Sequence, residues 1–132
     1  MPSNELTSLL ADLRPQKLPG SFVFVELPEA LPDRLEPLAT VRESEGLSAV
    51  VDRSDADRLG LDYDWVAGWI TLRVESALSA VGLTAAVSTC LTGRGISCNV
   101  IAGLRHDHLL VPIERTDDAL AALNELASSE RD

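Results

Sequence analysis

The chain has 132 residues, 45 % of them hydrophobic and 24 % charged, proportions of an ordinary globular protein with one domain or two very small ones. Its 21 acidic residues outnumber 11 basic ones, for a net charge of −10. No basic cluster offsets that field, so nucleic-acid backbones and anionic membranes are excluded as first partners.

In chain order, Leu6, Leu9, Leu10 and Leu13 form the stripe of an amphipathic helix over residues 3–13. Ser3 or Asn4 is expected to cap it, and Arg14-Pro15 to end it. This N-terminus lacks the basic flank and long apolar run of a signal peptide, and no stretch approaches the ~18 apolar residues of a membrane span, so a cytoplasmic location is expected. Phe22 to Val25 is aromatic and β-branched, hence a strand, and Pro28, Pro32 and Pro37 mark an irregular loop after it. Ala39–Glu43 and Leu47–Asp52, around Ser44-Glu45-Gly46, read as a hairpin. A short helix opens at Ser54 and closes at Gly60.

Trp65 to Val74 is the next strand, followed by a helix from Gly82 to Leu91 with Gly93 and Gly95 as stop signals. Cys98–Gly103 and His108–Ile113 are two further strands. Thr116 to Ala127 is a helix whose Asp117 and Asp118 suit the positive end of its dipole, and residues 128–132 are expected to fray. The order is α-β-β-β-α, then β-α-β-β-α. This is an α+β pattern of two similar small modules, 1–61 and 62–132, the first carrying a proline loop in place of its first helix. Each half is too small to stand alone, and its open sheet edges favour self-association.

Cys90 and Cys98 show neither CxxC nor Cys/His ligand spacing and read as reduced, half-buried thiols. His106 and His108 sit at i and i+2 and could share one strand face for a metal, but no third ligand is evident, and a polar turn explains them as well. Glycine-rich phosphate loops and a nucleophile elbow are both missing, so no catalytic residue is assigned. Residues Glu75 to Thr84 link a strand end to a helix start, where the amides of about Leu83, Thr84 and Ala85 lack internal partners. A small carboxylate fits there, and Gly82 permits close approach. Equally, Ser79 or Thr84 simply caps the helix, and Asn99 either points at the same place or pairs with a turn backbone.

GLTAAVSTCLTGRGISCNVIAG, residues 82–103, resembles the glycine–helix–asparagine–strand passage of the ACT domain, a ferredoxin-like module that senses amino acids. WITLRVESALSAVGLTAAV with GISCNVIAGLRHDHLLVP is similar to bacterial tandem-ACT proteins of this length, relatives of the ACT pairs of aspartate kinase and of the eukaryotic cytosolic arginine sensor. The likeness is specific over residues 65–113 and weaker upstream, in GSFVFVEL and EGLSAVVD. The resemblance implies antiparallel sheets with helices packed on one face and ligand sites at module interfaces. Carried to matching positions, it marks Ser76, Gly82, Leu83 and Thr84 in the loop and helix start, and Asn99, Val100 and Ile101 on the following strand. The chain departs from the pattern in having Ala80-Val81-Gly82 in place of the loop's Asp…Pro-Gly, and in the extension Glu75 to Ala80. The expectation is a non-catalytic regulatory module without a cofactor. A free amino acid would rest its carboxylate near Leu83 and Thr84 and its ammonium at Glu75 or at a carbonyl of Val100 to Ala102. It would act through a homodimer or a protein partner; the alternative is an assembly protein that binds no ligand.

Overall fold

The computed structural model describes residues 5–30 and 34–131. The elements are α1 (Leu6–Ala11), β1 (Pro15–Leu27), β2 (Ala39–Glu43), β3 (Gly46–Asp52), α2 (Arg53–Leu59), β4 (Val66–Leu72), α3 (Leu83–Thr92), β5 (Asn99–Ala102), β6 (Asp107–Pro112) and α4 (Thr116–Arg131), with a 3-10 turn at Ile113–Arg115. Their order agrees with the sequence reading. Two compact units arise: Pro19–Ala67, and Met1–Leu18 together with Gly68–Asp132.

In the 19–67 unit, β3 lies between β2 and β1 and is antiparallel to both, with Val23 opposite Val51 and Val41 opposite Ser48. Alternation along the strands sends Val23, Val25, Leu27, Ala49 and Val51 to one face, where Ala56 and Leu59 of α2 pack on them. Asp52 caps α2 by accepting from the Ser54 amide, and Gly60, at φ +66, ends it in the left-handed conformation that favours glycine.

In the second unit, β6 lies between β4 and β5. Ile70 and Leu72 of β4, Leu109 and Val111 of β6 and Val100 of β5 face one core, which α1, α3 and α4 cover with Leu9, Leu10, Leu83, Val87, Leu91 and Leu123. Helices thus occupy one face of the strands in each unit, as expected. Gly68 is required beside α4: a Cβ there would lie 2.0 Å from Thr116 Oγ1.

Three details differ from the sequence expectation. The N-cap of α1 is Glu5, without a side-chain cap bond, and Ser3 and Asn4 fall outside the described residues. Strand β1 begins at Pro15, well before Phe22. Residues 128–131 continue α4 instead of fraying, because the Arg131 guanidinium donates to the Ala11 carbonyl at 2.8 Å and to Ser128 Oγ. Among the described residues, no helix is long and apolar enough to cross a membrane.

Candidate functional site

Backbone bonds fix the end of β4: the Arg73 amide donates to the Arg14 carbonyl at 3.0 Å and the Val74 amide to that of Leu13 at 3.3 Å. From this anchor residues 75–82 run to α3 through a turn closed by the Ala80 amide on the Ala77 carbonyl. Gly82 is the N-cap of α3, at φ +101, and no side chain caps the helix, so neither Ser79 nor Thr84 plays the capping part. A Cβ at Gly82 would also lie 3.1 Å from Leu6 Cδ2. The first bond within the turn is the Ala86 amide to the Gly82 carbonyl. The amides of Leu83, Thr84 and Ala85 come before it and have no intrahelical acceptor.

A cleft of about 160 Å³ opens at this point, lined by Ser76, Ala77, Leu78, Ala80, Gly82, Leu83 and Thr84 and closed by Ala102, Gly103 and Asp107. Gly103 makes the tight turn possible: its amide donates to the His106 carbonyl at 2.9 Å, and a Cβ would lie 2.9 Å from that oxygen. Burial raises the Asp107 carboxyl above its ordinary range, against the pull of His108 and His106. The positive end of α3 and one carboxyl group therefore line the same small space.

Of the residues marked in the sequence, Ser76, Gly82, Leu83 and Thr84 come together here. Glu75 lies elsewhere, in a polar cleft of about 540 Å³ with Ser8, Asp12, Arg14, Arg73 and His106, and its carboxylate is 3.8 Å from Arg105. Val100 packs into the core. Alternation turns Asn99 and Ile101 to the strand face away from the helices, where they stand opposite Leu110 and His108. Asp107 was not singled out for this site; the available signal was a glycine-led turn that delivers an acidic residue to the start of a strand.

The two histidines have separate surroundings. Thr71 Oγ1 accepts from the Trp69 indole at 2.9 Å and stands 3.0 Å from His108 Nδ1, within hydrogen-bond reach of both rings. Burial lowers the His108 pKa, and its ring packs on Trp69 with centroids 5.1 Å apart. His106 Nδ1 lies 3.3 Å from the Val74 carbonyl, which only an N–H on that nitrogen satisfies. No group of three potential metal ligands is present among the described residues. Cys90 and Cys98 are free, and burial pushes the Cys98 thiol up to about 11.

One ACT-domain family model matches residues 2–68 and a second matches residues 66–125. No curated protein matches the chain. Among solved structures, a Vibrio cholerae protein of unknown function, described as a possible transport protein, is 46 % identical over 92 % of this chain and 95 % of its own, with a TM-score of 0.83. An Agobacterium tumefaciens protein is 22 % identical over 86 % of this chain and 87 % of its own, with a TM-score of 0.64. The ligand-free regulatory subunit of aspartate kinase from Thermus thermophilus aligns over 85 % of this chain and 95 % of its own, with a TM-score of 0.62 at 8 % identity. The last two likenesses are of fold. With the antiparallel strands, the helices on one face and the two matches in tandem, the chain belongs to the ACT domain family.

Proposed function

We propose that this protein is a non-catalytic regulatory module that binds a free amino acid in the cleft at the start of α3. The carrying observation is the pairing of unlike ends: Leu83 and Thr84, whose amides have no intrahelical acceptor, at one wall and Asp107 at the other. An α-carboxylate placed on the amides gains from both hydrogen bonds and the helix dipole, while the α-ammonium meets Asp107 and the carbonyl of Ala102. A volume of about 160 Å³ is well below the roughly 300–1,000 Å³ of drug-sized sites, which favours a small zwitterion over a nucleotide or other large cofactor.

The mouth of the cleft supports action through assembly. Leu78, Val81 and Leu104, on the loops that form its walls, are 71 %, 82 % and 77 % exposed. Large aliphatics exposed on these two loops mark a surface to be covered, and a second copy of the chain is the cover we assign. Closing the cleft in this way ties occupancy to dimerisation or to a protein partner. In this reading residues 1–61 and 62–132 are the two modules, and the protein works in a reducing cytoplasm with both cysteines as thiols. The same exposed aliphatics favour the second reading, an assembly protein that uses this face and binds no ligand.

A thermal-shift screen of the purified protein against the twenty amino acids at millimolar concentration separates the two. Binding predicts a saturable rise with one or a few of them, worth about 2.7 kcal/mol at a hundredfold excess over Kd and lost in Asp107→Asn. A flat response across the panel would leave the assembly reading.

A further inference from the structure

The outer face of the 19–67 unit carries a groove that the amino-acid reading does not use. Here β2, β3 and β1 turn away from α2 the residues that alternate with the core set, and Glu26, Ser48 and Val41 line up as one row across the three strands. Phe24, 40 % exposed, and Val41, 57 % exposed, form an apolar floor, with the Trp65 ring 6.2 Å from that of Phe24. The groove measures about 750 Å³ and is lined by Glu26, Glu43, Asp62 and Asp64 as well as Tyr63. Ser48 Oγ donates to Glu43 at 2.7 Å and so fixes one carboxylate at the edge. All the arginines and the lysine are among the described residues, and none of them forms an ion pair with these four acids.

Apolar surface of this kind is normally covered, and four unmatched carboxylates around it make an acidic partner or a second copy of so acidic a chain a poor cover. We propose that this groove docks a basic segment of a partner protein that carries both aliphatic residues and arginine or lysine. The segment lies across the outer strand face, sets its aliphatic side chains on Phe24 and Val41, and pairs its cations with Glu26, Glu43, Asp62 and Asp64. An apolar floor rimmed by four carboxylates suits a chain segment better than a lone amine, which could not use the floor.

The test uses the full chain and a labelled peptide of arginine and valine in equal numbers, read by fluorescence anisotropy. The expected result is saturable binding about tenfold tighter than that of an arginine–glycine peptide of the same length and charge, and weakened about tenfold in the triple variant Glu43→Gln, Asp62→Asn, Asp64→Asn. A control variant, Glu114→Gln with Glu130→Gln, removes acidic charge from another surface and should bind the arginine–valine peptide nearly as the parent does. Equal binding of the two peptides, or equal losses in both variants, would reduce the effect to attraction by net charge and overturn the proposal. Tight binding of free arginine amide to the same surface would overturn it in favour of a small-cation site. The amino-acid screen reports on other residues, so either reading can fail without the other.

Discussion

Gly82 meets two demands at once, a backbone at φ +101 and a side-chain void beside Leu6. A β-branched residue satisfies neither. Gly82→Val is expected to cost about 1–3 kcal/mol from the left-handed conformation and to abolish the amino-acid response, while far-ultraviolet circular dichroism still reports native helix content. Unchanged ligand response in the variant would remove this cleft from consideration. Asp107 gives the site its expected pH dependence. The ammonium needs the carboxylate, and burial holds this carboxyl above its ordinary range, so affinity should fall as pH drops through that raised value. The native state of the unliganded protein binds this proton more tightly than the unfolded chain does. Its stability contribution from Asp107 is therefore present at low pH and declines as pH rises from the usual carboxylate value through the raised one. Asp107→Asn should flatten both profiles, measured by calorimetric titration and by thermal melts across pH. Part of this site was legible from spacing: Ser76, Gly82, Leu83 and Thr84 sit where a strand end meets a glycine-led helix. Asp107 was not, because only the fold brings the Gly103 turn back against the first turn of α3. Glu75, its neighbour in chemistry and sequence, was the natural guess, but it lines a different cleft.

Elements with a buried face were readable and elements held by tethers were not. The periodicity of Leu83, Val87 and Leu91 marks α3, and the apolar run Ala49-Val50-Val51, buried throughout, marks β3, because in both the apolar residues are buried together. The first residues of β1, Pro15 to Gly20, are exposed or only partly buried and so leave no apolar imprint. The last turn of α4 is a similar case. Ser128, Ser129 and Glu130 are exposed, and one guanidinium holds the turn to the end of α1. Arg131→Ala should cost roughly 0.5–1.5 kcal/mol and release hydrogen-exchange protection over residues 128–131, while the rest of α4 stays protected. Protection that persists in the variant would assign the helix end to its own propensity.

On the scale of the whole molecule, composition bounded the partners, the sequence pattern foretold the α+β order of elements, and the ACT likeness, visible from a few glycine-centred segments, implied antiparallel strands with helices on one face. The path by which the chain fills its compact units was hidden, because no composition change marks it. Leu9, Leu10 and Leu13 belong to the same core as Leu91, Leu109 and Leu123. That unit takes its first segment from before the 19–67 unit and the rest from after it. Protein synthesis runs in one direction, so this arrangement imposes a schedule. The strands and the helix that build the 19–67 core are translated before most of the second unit. Leu9, Leu10 and Leu13 emerge before residues 19–67 and the leucines they join, among them Leu91, Leu109 and Leu123, emerge after, so this core closes later than the unit its chain encloses.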